Sequence, residues 1–301
     1  MKRTMRLGTN AKTNLLLRVL GRRPDGYHEL ETIFHTLSLA DTVSITPTTR
    51  HEVEVVMHAE TATEGGLPLA ADNLVSAAAR KLMEADGQSH GVRIEIIKRI
   101  PIGAGLGGGS GNAAAVLEAL NEMWELGLDS ASLAELALDI GADVPYCLTG
   151  GTALATGRGE KTTALLAPAT LWFALGLIND PLLTRDVYEE FVAQIDSDDS
   201  AGVRSALMSR ALGGGDAAAV AALMHNDLEP PAFRLRPELA QLKSAMLDAG
   251  ALGALMSGSG PTMLGLARDR DHATAIAGAA ERSFDRVVIA SSRPVCIERL
   301  N

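Results

Sequence analysis

Ten consecutive residues, Pro101-Ile102-Gly103-Ala104-Gly105-Leu106-Gly107-Gly108-Gly109-Ser110, hold five glycines within the seven positions from 103 to 109. The apolar run Val92 to Ile97 precedes them, and Asn112-Ala113-Ala114-Ala115-Val116-Leu117 behind them reads as the start of a helix. Strand, glycine loop and helix make a phosphate cradle. Glycine lets the backbone turn through positive φ and approach a ligand closely, and the first free N–H groups of the helix meet an anion with the favourable end of the dipole. The stretch is read as a nucleotide site.

The neighbours of the loop decide which kind. Gly103-x-Gly105-x-x-Gly108 satisfies the dinucleotide pattern, but a second helical segment follows instead of a strand ending in an acid about 20 residues on. A Walker A loop ends in Gly-Lys-Ser/Thr, whereas this one ends Gly108-Gly109-Ser110. The His-Arg-Asp and Asp-Phe-Gly signatures of protein kinases are absent.

Other stretches carry polar groups where chemistry is possible. Lys12 and Asn14 lead an apolar strand, Ala11 to Leu20, and share one face two residues apart; the plain alternative is a surface lysine. Pro24-Asp25-Gly26 is a turn that presents Tyr27 and His28, a pair able to stack on and hydrogen-bond a planar ring, or simply to pack. Asp143, in Gly141-Ala142-Asp143-Val144-Pro145, falls just past a helix terminus. Ser257-Gly258-Ser259-Gly260 is a second glycine-rich turn, either a plain hairpin or a further set of N–H groups closing a phosphate site. The acids of 196–200 lack regular ligand spacing and are read as a solvated loop, so no metal site is assigned.

The elements that must position these groups read as a mixed α+β chain. Thr42 to Ile45 and Glu52 to Val56 alternate like neighbouring antiparallel strands. Asp72 is placed as the N-cap of a helix with Leu74, Ala77, Ala78 and Leu82 inward, and Ser132 to Glu135 as a capping box before the stripe Leu133, Leu136, Ala137 and Ile140. Leu171 to Ile178 is a buried strand, Thr184 opens a helix that carries Tyr188, and Gly213-Gly214-Gly215 marks a loop.

At 301 residues the chain is expected to form two domains, 1–165 and 166–301. A net charge of −10 argues against a nucleic-acid partner, although Lys2, Arg3, Arg6, Lys12, Arg18, Arg22 and Arg23 leave a local basic patch for an anionic small molecule. Cys147 and Cys296 belong to no cluster and are expected in the core. No apolar run approaches the roughly 20 residues that span a bilayer. The expectation is a cytoplasmic protein with no membrane partner, monomeric or weakly dimeric.

The loop from Pro101 to Ser110 resembles the phosphate-binding motif of the GHMP kinases (galactokinase, homoserine kinase, mevalonate kinase, phosphomevalonate kinase). Within them the chain is most similar to the branch that phosphorylates 4-diphosphocytidyl-2-C-methyl-D-erythritol in the non-mevalonate isoprenoid pathway. The resemblance also rests on Ala11 to Leu15, Arg23 to Leu30, Gly141 to Pro145, Asn226-Asp227-Leu228-Glu229 and Ser257 to Gly260, with Asp25-Gly26-Tyr27-His28 as the specific segment. It implies a two-domain GHMP kinase fold: an N-terminal α+β domain like domain 2 of ribosomal protein S5, a ferredoxin-like C-terminal domain, and a site in the cleft between them.

The resemblance also implies roles. Asp143 would take the proton of the substrate hydroxyl, and Lys12 would hold that carboxylate ionised and offset charge on the moving phosphoryl group. Asn14 would fix the methylerythritol part. Tyr27 would stack on cytosine, His28 would hydrogen-bond its edge, and Tyr188 would supply a second aromatic face. Asn73 would lie near adenine, and Pro101, Gly103, Ala104, Gly105, Leu106, Gly107, Gly108, Gly109 and Ser110 would hold the phosphates of ATP, screened by Mg2+. The chain departs from the family pattern at Asn10 (usually proline), Thr13 (usually a large aliphatic) and Gly111 (usually a second serine). The alternatives are a homoserine or mevalonate type of kinase, which Tyr27 and His28 oppose, and a non-catalytic sensor, which the presence of both Lys12 and Asp143 opposes.

Overall fold

A computed structural model describes residues 4–60, 73–86, 90–191 and 202–300. Lys2, Arg3, the expected cap Asp72 and the acids of 196–200 lie outside the described residues.

The first half contains β1 (Met5–Arg22), β2 (His28–Thr48), β3 (Val53–Ala59), α1 (Leu74–Asp86), β4 (Gly91–Lys98), α2 (Gly108–Met123), α3 (Ser130–Ile140), α4 (Val144–Thr149), β5 (Thr152–Gly157) and β6 (Lys161–Ala164). β1 and β2 form one long antiparallel hairpin, turned by Asp25, whose Oδ1 accepts the Tyr27 N–H at 3.1 Å. β2 then pairs with β4 through one half and with β5 through the other.

The expected antiparallel pairing of 52–56 with 42–45 does not form. β3 runs parallel to β4 at the sheet edge, because β4 occupies the edge of β2 and α1 carries the chain back in the same direction, as a parallel pair requires.

The helix starts also differ from expectation. Asn73 caps α1, its Oδ1 accepting the Ser76 N–H at 2.8 Å, and the inward face is Val75, Ala78, Ala79 and Leu82. Asp129, not Ser132, caps α3, accepting the Ser132 N–H at 2.8 Å. α2 begins at Gly108, inside the glycine stretch and ahead of Asn112, since Gly107 is left-handed at φ 67° and lets the helix start at once.

The second half contains β7 (Trp172–Leu177), α5 (Thr184–Glu190), α6 (Val203–Gly214), α7 (Ala217–Leu223), β8 (His225–Asn226), α8 (Glu229–Leu235), α9 (Glu238–Asp248), β9 (Gly253–Met256), β10 (Met263–Ala267), α10 (Arg270–Ala280), β11 (Arg286–Ser291) and β12 (Ile297–Arg299). Its antiparallel sheet has the order β11-β7-β10-β9, the split βαβ arrangement of a ferredoxin-like unit. Gly213 and Gly214 lie in α6 instead of a loop, and Gly215 ends that helix with left-handed backbone. β8 and β12 carry the chain from beyond residue 165 back onto β1 of the first sheet.

Among the described residues the apolar side chains form three clusters. The helices α1 to α4 pack on one face of the first sheet around Val43, Ile45, Ile94 and Leu117. Leu15, Leu16 and Ile33 meet Phe173, Leu175 and Leu264 between the two sheets. Ala174, on the opposite face of β7, turns with Met263 toward α8, α9 and α10, the alternation expected of a strand covered on both sides. Cys147 and Cys296 are both buried, as expected, and the Cys296 thiol lies 3.4 Å from the Thr36 hydroxyl.

Candidate active site

A cleft of about 1130 Å³ brings together Lys12, Asn14, Tyr27, His28, Asn73, Pro101, Gly103 to Ser110, Asp143 and Tyr188. Groups scattered over more than 170 residues of sequence thus face one space.

Its floor is β1. Lys12 is 5 % exposed, and its ammonium lies 3.0 Å from Asp143 Oδ2, donates to Asn14 Oδ1 at 3.1 Å and sits 5.0 Å above the Phe34 ring. Asn14 in turn donates to Thr32 Oγ1 at 2.7 Å, and Thr32 donates to the Leu16 carbonyl at 2.6 Å, so both side chains are held before any ligand arrives. Asp143 precedes α4, makes no capping bond and keeps about a third of its side chain in the cleft. A carboxylate spared from capping is available to a substrate proton, with a buried ammonium 3.0 Å away.

The glycine loop lies on these groups. The Lys12 N–H donates to the Leu106 carbonyl at 2.9 Å, and a Cβ at Gly107 would fall 2.6 Å from Lys12 Cγ. A Cβ at Gly105 would fall 1.9 Å from the Ser257 carbonyl oxygen, where the second glycine turn packs against the loop. Gly258 and Ser259 of that turn line the cleft. At the mouth of the loop Asn73 lines the cleft, and its Nδ2 is buried with no hydrogen-bond partner among the described residues.

The aromatic end holds His28 stacked on Tyr188 at 4.9 Å between centroids, with Phe191 edge-on to His28 at 6.0 Å. These rings touch, so a flat ligand stacks on an outer face and does not enter between them. Burial pushes the His28 imidazole below its ordinary value, with Arg22 adding to the effect, and keeps the ring neutral, able to donate from one nitrogen and accept at the other. Burial, with the charge of Asp143 adding, pushes the Tyr188 phenol well up and keeps it protonated. Tyr27 is 53 % exposed and carries the Arg158 guanidinium 3.8 Å over its ring.

Arg158, Phe191, Lys98 and Arg185 also line the cleft and were not singled out from the sequence. Arg158 lies between two glycines at a strand-to-strand turn, its Nε buried and without a hydrogen-bond partner among the described residues. Of the departures, Asn10 donates its backbone N–H to the Cys296 carbonyl at 2.7 Å and its side chain to Val295 O and Glu298 Oε1 at 3.0 Å, fastening the segment that leads into β12. Thr13 pairs with Ser257 Oγ at 3.0 Å. A Cβ at Gly111 would meet only ordinary contacts, so its missing side chain leaves room and no strain.

Residues 73–151 match the GHMP kinases N terminal domain and residues 183–286 the GHMP kinases C terminal domain. The 4-diphosphocytidyl-2-C-methyl-D-erythritol kinase of Pelotomaculum thermopropionicum is 43 % identical over 93 % of this chain and 94 % of its own. That of Gloeobacter violaceus is 41 % identical over 91 % and 89 %. A crystal structure of 4-(cytidine 5'-diphospho)-2C-methyl-D-erythritol kinase superposes with a TM-score of 0.76 at 37 % identity, covering 96 % of this chain and 99 % of that one. A homoserine kinase from Cytophaga hutchinsonii superposes with a TM-score of 0.80 at only 23 % identity, covering 100 % and 98 %, a likeness of fold alone. Identity along nearly the full length, with the Tyr27-His28 segment in the cleft, separates these relatives where the fold does not: the chain belongs to the GHMP kinases and, among them, to the 4-diphosphocytidyl-2-C-methyl-D-erythritol kinase family.

Proposed function

We propose that the protein transfers the terminal phosphoryl group of ATP to the 2-hydroxyl of 4-diphosphocytidyl-2-C-methyl-D-erythritol. The observation that carries the proposal is one unbroken line of neighbours: Gly107 against Lys12, Lys12 on Asp143, Asp143 within electrostatic reach of Tyr188, and Tyr188 stacked on His28. A phosphate cradle and a ring-binding wall thus flank a carboxylate–ammonium pair.

In this reading Asp143 accepts the hydroxyl proton as the substrate oxygen bonds to the γ-phosphorus, the bond to the bridging β–γ oxygen breaks, and ADP leaves. Lys12, 3.0 Å from Asp143, offsets charge on the carboxylate and on the moving group, and Asn14 fixes the alcohol. Phosphoryl transfer depends chiefly on positioning and electrostatic stabilisation, which this rigid set supplies. Tyr27, His28 and Tyr188 hold the cytosine, with Arg158 beside them as a cation for the diphosphate. Asn73 offers its unpartnered amide to adenine, and the N–H groups at the start of α2 hold the phosphates.

Among the described residues no group of three acidic, histidine or cysteine side chains forms a metal site. Mg2+ therefore fits as a cation carried on the nucleotide, with the Ser110 hydroxyl in the first turn of α2 as the chain's oxygen beside it. When bound it neutralises phosphate charge. Among the described residues no helix is long and apolar enough to cross a membrane.

The test is a comparison of kcat/KM for 4-diphosphocytidyl-2-C-methyl-D-erythritol, homoserine and mevalonate with ATP. The cytidine compound is expected to lead by at least 1000-fold, on the order of what a site with unmatched polar groups imposes on an analogue lacking them. Preference for either of the other alcohols overturns the proposal.

A further inference from the structure

The Asn226-Asp227-Leu228-Glu229 segment takes no part in the chemistry above, yet it is buried and bonded to the site from behind. Asn226 is buried, and its amide uses both donor hydrogens, to Met256 O at 2.8 Å and Gly258 O at 2.7 Å, while its Oδ1 accepts the Leu228 N–H at 2.9 Å. Glu229 holds the same turn through the Met256 N–H at 2.9 Å. The segment is anchored to the strand that bears Lys12 and Asn14: β8 pairs with Leu16 and Leu17, the Asp227 N–H donates to Leu17 O at 3.0 Å, and Asp227 Oδ2 accepts the Val19 N–H at 2.8 Å.

In a trans peptide the carbonyl and the following N–H point in opposite directions. With the Gly258 carbonyl held by Asn226, the Ser259 N–H points away from Asn226, and Gly258 and Ser259 both line the cleft. The turn itself lies against the catalytic end. Ser257 Oγ donates to Gly105 O at 3.0 Å, and a Cβ at Gly258 would lie 3.2 Å from Gly105 O and 3.5 Å from Asn14 Oδ1. Ser259 is steadied from the other side by Thr184, 2.8 Å between hydroxyls.

We propose that Asn226 is a positioning residue for phosphoryl transfer: by gripping the Gly258 carbonyl it aims the Ser259 N–H at the terminal phosphate of the bound nucleotide. The inference rests on the reading of the cleft as a kinase site, and not on the identity of the acceptor. A preorganised N–H at developing charge is worth roughly 100-fold in kcat when lost. A buried amide replaced by a group that cannot donate twice frees the 258 peptide to rotate.

Asn226→Asp and Asn226→Ser are titrated calorimetrically with ADP and with the non-hydrolysable ATP analogue that retains a third phosphate. Affinity for the triphosphate analogue is expected to fall about tenfold and that for ADP less than twofold, with kcat down about 100-fold. The serine variant carries the test if the aspartate variant does not fold. Equal loss of both nucleotides, no loss of either, or failure of both variants to fold assigns Asn226 to the scaffold alone and overturns the proposal. If the wild-type protein ignores the cytidine substrate, the acceptor assignment falls while the nucleotide comparison still decides the role of Asn226.

Discussion

Lys12 shows how much one side chain is asked to do: its ammonium faces Asp143 and Asn14, its stem closes the space that a Cβ at Gly107 would need, and its N–H holds Leu106. Its partner Asp143 makes no cap bond that a substitution would break. Asp143→Asn is therefore expected to fold and to bind both substrates within about threefold of wild type, with kcat lower by 100-fold to 10,000-fold, the range of a general base. Steady-state kinetics check this, and a variant with unchanged kcat removes Asp143 from the mechanism. At this scale residue types alone left Lys12, Tyr27 and His28 open between binding and packing, and the family resemblance is what groups them with Asn14 and Asp143; the structure lines one cleft with all five. Arg158 was not legible: a lone arginine between glycines says nothing until the fold lays it over Tyr27.

Elements hold these side chains through a polar knot behind the glycine loop. Asp41, fully buried on β2, accepts from the N–H groups of Arg99 and Ile100 at 2.7 and 2.9 Å and from Asn112 Nδ2 at 3.1 Å, and pairs with the Lys98 ammonium. Thr9 closes the knot by donating to Asn112 Oδ1. β2, the end of β4, the entry to the loop and the first turn of α2 are thus tied at one carboxylate. Removing one partner of a buried ion pair leaves the other charge uncompensated, so Asp41→Ala is expected to cost about 3–5 kcal/mol of unfolding free energy. Urea titration measures it, and a loss below about 1 kcal/mol shows that the knot is dispensable. Strand and helix identities were largely legible from periodicity. Helix starts were not, because Ser132, Asp129, Asp72 and Asn73 are all competent caps by type, and only packing decides which backbone N–H each one meets. The parallel edge strand β3 was misjudged for a similar reason: alternation shows a half-buried strand but not its neighbour.

At the scale of the whole molecule the two sheets are joined by a buried polar seam as well as by apolar contacts. His35 on β2 bonds Thr152 through Nδ1 and Ser292 through Nε2, each at 2.8 Å, and burial holds its imidazole down to about 4 from an ordinary 6.5. The unfolded chain therefore binds a proton at a pH where the folded one does not. Stability is full above pH 6.5 and falls progressively as pH drops toward 4, by roughly 3 kcal/mol from this one ring. Urea midpoints measured at pH 7, 5.5 and 4 should show the decline, and His35→Gln should flatten it between pH 6.5 and 4; an unchanged slope in that variant places the sensitivity elsewhere. A sequence offers no sign that His35 will be sealed between two hydroxyls, since those partners lie 117 and 257 positions away.

One strand gives the assembly an order in time. The outer edge of β1 is covered over Leu7 to Thr9 by β12 and over Leu16 and Leu17 by β8. During synthesis β1 leaves the ribosome well before β8 and β12 and is thus among the last strands to find all its neighbours, and its bare edge must be kept from other chains until residue 299 has emerged. The outer edge of the strand that bears Lys12 and Asn14 is completed only when β12 is made, so a ribosome that stalls before then leaves a nascent chain with that lysine in place and the outer edge of its strand bare.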